Sequence, residues 1–450
     1  MITQRYGDLE VAYTTHWHVN PYFRTGLPVA EGDWRVLGNV LSTKAASDWT
    51  GNVGGLLVKD LSPGQDLLKP PVAFEQVGVF EVSFPWSALF DAVVWRPVPP
   101  AGYVALGDVV TKRTTTGGES DGTVMPDAAA LGLVCVKETH EGRGYVRRGE
   151  LGRRPVRVNG RGKALWAVTN PLYPVDDTEE HLLLPAATFS CGPDEQHAPT
   201  DVTWVLDLPA VVDRADYAPD LTLTSYDAPP AQSVVTDRAV TVPYHMVKDG
   251  GRTEAWKVAN SPFYRILRKR QYDLVRHVDY RGSGGGTITE EIQQGVSEER
   301  GEEFAENVGI SVGVTAGVEA SVEPFGMGVS AYAETTVSES VELGYASRYG
   351  VSTFENKTVS VSYDVPAGHA GALWTDSHLL VPARGDGTLV TDANLKLNAG
   401  NYVGRTHPHV GGTRIVVTRT FSEEETKAAK DMGLDLANLA EAGVTEIEQE

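Results

Sequence analysis

Apolar and polar positions alternate along much of this chain, and nowhere more strictly than between residues 309 and 344. In GISVGVTAGVEASVEPFGMGVSAYAETTVSESVEL, one face carries Ile310, Val312, Val314, Ala316, Val318, Ala320 and Val322. The other carries Ser311, Gly313, Thr315, Gly317, Glu319, Ser321 and Glu323. After the apolar tip Pro324, Phe325, Gly326 and Met327, the pattern resumes with Val329, Ala331, Ala333, Val337 and Val341. Glu334 and Glu342 then lie on the polar face, and Thr335 and Glu339 interrupt the apolar one. A period of two on both sides of a Pro/Gly break predicts a β-hairpin.

The same periodicity predicts strands in RAVTVPYHMV, EAWKVANSPFYRILRKRQYDLVRHVDY, NKTVSVSYDVPAGHAGALWTDSHLLVPA and TRIVVTRTF. RGSGGG (281–286) reads as a hinge. TEEIQQGVSEERGEEFAENVG fits a helix or a polar strand. The tail from Ser422 opens with a Ser-x-x-Glu capping box and predicts an acidic helix. The first half repeats itself: PVAEGDWRVLGNVLSTK is echoed by PVPPAGYVALGDVVTK, and GLLVKD by GLVCVKE. A looser third copy runs through GKALWAVTNPLY and HLLLPAATFSC. Repeats of short β segments predict sheets stacked about a pseudo-symmetry axis, as in a β-prism. A Pro-, Asp- and Ala-rich connector around 192–230 carries one expected strand, DVTWVLDL.

The fold class expected is therefore mainly β, with a prism-like head at 1–195, an elongated sheet domain at 196–420 holding the 309–344 hairpin, and a helical tail at 421–450. With 47 Gly and 26 Pro in 450 residues, composition agrees. A net charge of -21 opposes nucleic-acid binding and bulk attraction to an anionic membrane. The N-terminal residues lack the basic start and apolar stretch of a secretory signal, and no apolar run approaches the ~20 residues of a membrane-spanning helix. The expectation is a soluble protein released by another route. Cys135 and Cys191 fit reduced buried thiols better than a disulfide.

The hairpin's apolar face is built of Val and Ala. Since burial stabilises by about 25 cal/mol per Å2, these small side chains contribute little in a water-soluble fold. A strand pair that must leave one packing and enter another gains from that weakness. Each arm exceeds the ~9–11 residues with which a tilted strand crosses a bilayer. A lone hairpin would leave bare edges in hydrocarbon, so insertion requires a closed barrel of many copies. Glu319, Glu323, Glu334 and Glu342 would then face the lumen, with no Lys or Arg between Gly301 and Ser347, and favour cations. The pattern alone fits equally well a long amphipathic hairpin at the edge of a β-sandwich.

Two resemblances bear on that choice. Trp95-Arg96-Pro97-x-Pro99-Pro100-x-Gly102-Tyr103-x-x-Leu106-Gly107, within residues 15–192, resembles the vacuolar protein sorting-associated protein 62 family, which implies no catalytic chemistry. Trp95, Pro97, Gly102, Tyr103 and Gly107 carry that motif. NSPFYRILRKRQYDLVRHVDY, the hairpin, and VPAGHAGALWTDSHLLVPARGDGT look like the aerolysin-like β-pore-forming toxins, most closely the bacterial insecticidal group, over about residues 235–420. That resemblance implies a head that binds a cell-surface receptor (a glycan, protein or lipid), a homo-oligomer after activation, and one hairpin per subunit inserted in the target cell membrane. The alternative is a non-lytic glycan- or lipid-binding protein with an elongated stalk.

No nucleophile elbow, reactive-cysteine context or dinucleotide loop appears, so no enzyme, catalytic residue or cofactor is expected. His16 with His18, and His407 with His409, read as surface polar groups and not as metal ligands. Asp176-Asp177 and Glu179-Glu180 read as loop charges. RILRKRQYDLVR (265–276), the one strongly basic stretch, calls for an acidic partner within the chain or between subunits. Trp17, Trp34, Trp49, Trp86 and Trp95 are expected mostly in the core.

Overall fold

A computed structural model describes residues 1–20, 25–41, 49–83, 89–116, 119–121, 124–152, 156–157, 163–169, 181–194, 197, 199, 203–217, 219–295, 298–308, 357–392, 394–420 and 444–448. The 309–344 hairpin and the tail at 421–443 lie outside these residues. The fold is mainly β, made of antiparallel sheets of two to four strands in the first half and of a five-stranded and a four-stranded sheet in the second.

The three sequence echoes meet. The Asn39 N–H donates to the Asp108 carbonyl (3.1 Å), the Asp108 N–H to the Phe189 carbonyl (2.9 Å), and the Leu41 N–H to the Ala187 carbonyl (3.3 Å). Leu-Gly-Asn, Leu-Gly-Asp and Pro-Ala-Ala-Thr thus close a ring of backbone hydrogen bonds, which satisfies polar groups that burial would otherwise strand. Close approach dictates glycine here: a Cβ on Gly107 would come 2.3 Å from Thr188 Cβ, and Gly38, at φ +151°, backs onto Gly107. Asp108 also accepts both prongs of Arg96 (3.1 Å each) and the Cys191 N–H (2.7 Å).

In the second half a five-stranded sheet runs in the order Val211–Arg214, Val235–Pro243, Phe263–Asp279, Ala370–Arg384, Leu395–His407. A four-stranded sheet runs Gly286–Gln294, Lys357–Val365, Arg414–Thr420, Val444–Glu448. Alternation places Val359, Val361, Tyr363 and Val365 on one buried face with Ile288, Ile292 and Ile415, and Leu373 and Tyr402 of the five-stranded sheet pack against them. The larger core is continuous across residue 195, joining Tyr6, Tyr13 and Leu106 to Tyr244, Phe263 and Leu380. At that seam Tyr13 meets Tyr244 edge-on (5.2 Å between centroids) and bonds His245 Nε2 (2.9 Å), and burial holds the His245 imidazole neutral, its pKa lowered to about 3.

Four expectations change. EAWKVAN is a helix, Glu254–Asn260, because Thr253 caps it by accepting the Trp256 N–H, and the strand begins only at Phe263. The segment TEEIQQ finishes the strand Gly286–Gln294, with the helix Glu298–Val308 following it. The connector supplies two strands, Trp204–Pro209 and Val211–Arg214. The tail ends in a strand where helix was expected: VTEIE pairs antiparallel with Arg414–Thr418, and Glu446 bonds Arg414 at 2.8 Å. Its period-two pattern prevails over the helical propensity of the tail because an open sheet edge is at hand.

Gly107→Ala is expected to destabilise the protein by about 1–3 kcal/mol through overpacking against Thr188. A denaturant unfolding free energy changed by less than about 0.5 kcal/mol, taken as midpoint shift times an unchanged slope, would contradict the ring as a close contact.

Candidate functional site

The strands that lead into and out of residues 295–356 are hydrogen-bonded neighbours. Gly286–Gln294 pairs with Lys357–Val365 without a register break, from Gly286↔Val365 to Gln294↔Lys357. Antiparallel pairing of this kind brings both ends of the intervening chain to one place, as any hairpin extension of the two strands requires. Gly286–Gln294 is an outer strand of its sheet. It keeps the amphipathic alternation of the segment beyond: Ile288 and Ile292 are buried, while Thr287, Thr289 and Glu291 face solvent. Thr287 bonds Asp364 at 2.6 Å and Thr289 meets Ser362 at 3.3 Å across the exposed face.

Three contacts fix this seat. Gly295 N–H donates to the Asn398 carbonyl (2.9 Å), and Gln294 Nε2 donates to the Tyr402 hydroxyl (2.9 Å). The helix Glu298–Val308 then places Phe304 and Val308, one turn apart, into the main core, where the Lys248 N–H donates to the Val308 carbonyl at 2.7 Å. The residues expected to face lipid (Ile310 through Val341), the expected tip (Pro324 through Met327), Glu339 and the four glutamates expected to face a lumen lie outside the described residues, so the seat is the part of the site with described geometry.

The basic stretch finds its partners inside the chain. Arg268 makes a bidentate pair with Asp237 (2.9 and 2.8 Å), and Arg270 bonds Asp376 (2.9 Å), which also accepts from Asn401 (3.0 Å). Arg265 pairs with Asp213, and Arg276 approaches Glu290 at 3.7 Å. Arg384 grips Asp249 through two bonds (2.7 and 3.0 Å), and the Tyr264 hydroxyl donates to the same carboxylate (2.7 Å). Burial raises Asp376 even beside Arg270, whereas at Asp249 burial is outweighed by Arg384 and Tyr264 and the carboxyl is lowered. Burial, Arg268 and Arg270 together keep His378 neutral, 3.0 Å from Asp376. Sequence reasoning found the arginines of 265–276 and missed the aspartates, which three separate strands, Val211–Arg214, Val235–Pro243 and Ala370–Arg384, bring against them.

The head motif is framework. Trp95 Nε1 donates to Thr111 Oγ1 (2.8 Å), and Pro97 is buried. Gly102, at φ +77°, turns the chain so that the Tyr103 hydroxyl reaches the Asp66 carbonyl, and Gly107 sits in the ring. Trp49 and Trp95 are buried, Trp17 and Trp34 are half-buried, and Trp86 lies outside the described residues, as do Asp176-Asp177 and Glu179-Glu180. Trp17 packs edge-on against Trp49 at 4.9 Å. Cys135 and Cys191 are free and buried, each thiol pushed up to about 12 by burial. His16, His18 and His409 are exposed, and His407 Nδ1 lies 3.2 Å from the Leu223 carbonyl.

Burial decides what each ion pair contributes. Asp237→Ala takes the bidentate acceptor from buried Arg268 and is expected to destabilise by about 3–5 kcal/mol, while Asp213→Ala, at an exposed pair, costs less than about 1 kcal/mol. Equal shifts in the two unfolding midpoints would contradict this assignment.

No curated protein matches the chain significantly. Among solved structures, GNIP1Aa from Chromobacterium piscinae aligns at 18% identity over 42% of this chain and 34% of its own, with a TM-score of 0.28. The match therefore spans about a third of that protein's length. Cry35Ab1 aligns at 11% identity over 75% of this chain and 90% of its own, with a TM-score of 0.31. No described helix is long and apolar enough to cross a membrane, which leaves β-barrels untouched. Residues 235–400, which hold the five-stranded sheet's long central strands and the seat, match the family model described as Insecticidal Crystal Toxin, P42, and it is to insecticidal β-toxins that this part of the chain is similar.

Proposed function

We propose that the protein is a non-enzymatic β-pore-forming toxin, insecticidal in target. In this reading the head at 1–195 binds a receptor on the target cell, copies of the chain assemble, and each contributes the 309–344 hairpin to a transmembrane barrel. The observation that carries it is the unbroken pairing of Gly286–Gln294 with Lys357–Val365, which sets the chain that enters 295–356 beside the chain that leaves it. Extension of this pairing toward the alternating segment requires the helix Glu298–Val308 to leave the core and unwind, after which hydrogen bonds add in the existing register. Small apolar side chains on the hairpin keep its water-stable packing weak, and rings of Glu319, Glu323, Glu334 and Glu342 would make the pore cation-selective.

Oligomerisation needs open edges. The Val444–Glu448 strand covers one side of Arg414–Thr420, and a covered edge cannot pair with a neighbouring copy. In this reading the tail keeps the protein monomeric until it is removed.

Two measurements test the proposal. Vesicles of insect midgut brush-border membrane loaded with dye should leak on exposure to the protein, and Val318→Arg should abolish leakage without moving the melting temperature. A charge at mid-bilayer costs about 2–4 kcal/mol per strand, multiplied by the number of subunits. Leakage that survives this change, or its absence from every membrane alongside retained glycan binding, would favour the non-lytic alternative. Truncation after Thr420 should raise the fraction of detergent-resistant oligomer on those vesicles. An unchanged fraction removes the tail from the account.

A further inference from the structure

One polar cluster lies outside everything the pore reading uses. Thr139–His140 and Arg143–Gly144 form a small hairpin about Glu141 and Gly142, both at positive φ (+50° and +82°). Its tip meets the turn that joins Gln4–Tyr6 to Leu9–Thr14, where the Asp8 N–H donates to the Tyr145 hydroxyl at 3.1 Å. His140 is only 7% exposed. Its Nδ1 lies 3.3 Å from Asp66 Oδ1, and Asp66 is itself held by Lys137. Its Nε2 is buried, makes no hydrogen bond, and lies 3.8 Å from Asp8 Oδ2.

That distance is too long for a hydrogen bond. Two ligand atoms that share a tetrahedral divalent ion at about 2.1 Å each stand about 3.4 Å apart, so a closure of a few tenths of an ångström would admit one. One potential ligand atom each from Asp8, His140 and Glu141 lies within 4.8 Å of the other two. A buried imidazole nitrogen left without a partner costs about 1–3 kcal/mol, and a bound cation removes that cost.

We propose that Asp8, His140 Nε2 and Glu141 bind one divalent cation of the zinc class, with water completing the shell. One imidazole and two carboxylates suit zinc, whereas calcium and magnesium favour oxygen-only sites. Asp66, facing Nδ1, orients the ring as carboxylates behind metal-bound histidines do. Asp66 is a positioning residue, and the ion clips the N-terminal turn to the 139–144 hairpin.

The test uses the full chain stripped with chelator and titrated with zinc chloride by calorimetry, with thermal unfolding in parallel. The expected result is one bound zinc per chain and a higher melting temperature with zinc than without. His140→Gln and Glu141→Gln should each weaken binding about tenfold or more, and His18→Gln should leave it unchanged. Glu141 is exposed, so its variant keeps the fold even if His140→Gln does not. Absence of uptake at about millimolar zinc, uptake indifferent to both variants, or preference for calcium or magnesium would each overturn the proposal.

Discussion

Every strand that joins a sheet brings backbone N–H and C=O groups that need partners, and in this protein the pairing of Gly286–Gln294 with Lys357–Val365 meets that demand at the point on which the rest depends. It sets Gln294 directly opposite Lys357, whatever the chain between them does. On one side the pairing continues through Arg414–Thr420 to Val444–Glu448; on the other Gly286–Gln294 has no further strand among the described residues. An edge strand followed in sequence by a long amphipathic segment suits the proposed barrel of several chains, since only closure satisfies the groups at each edge once water is gone.

The scaffold around that ribbon is far more tightly held. Phe263–Asp279 and Ala370–Arg384 pair along nearly their whole length with one bulge, and Asp237, Asp376 and Asp249 meet Arg268, Arg270 and Arg384 in buried or half-buried contacts. Such pairs fix register more than they add stability, because removing either partner strands a charge. The main core passes from the first half of the chain into this sheet through Tyr13, Tyr244 and Phe263, so the two share one packed interior. The contrast with the Val- and Ala-rich sequence at 310–341 is one of apolar area: the scaffold buries large side chains, and those small ones offer little.

Much of this was legible in the chain. The Leu-Gly-Asn and Leu-Gly-Asp echoes announced the ring, because a close backbone approach repeats its glycine, and Ala187 at φ +56° shows why the third copy was harder to see. Period-two alternation gave the long strands. EAWKVAN was misread because its Thr cap lies just outside the apolar pattern, and VTEIE because a short strand is decided by the edge that receives it. The partners of the arginines and of His140 were invisible, since sequence shows the charge on a residue and not the distant strand or turn that folding brings against it.

The central claim is that residues 310–323 move from water to a lipid-facing strand. Single cysteines placed along that stretch and labelled with a polarity-sensitive fluorophore read this directly, because the native thiols Cys135 and Cys191 are buried and hard to ionise. On target membranes the account predicts blue-shifted emission at the even positions, Ile310 to Val322, and water-like emission at the odd ones, Ser311 to Glu323. Emission without a period of two, or unchanged by membranes, would contradict it.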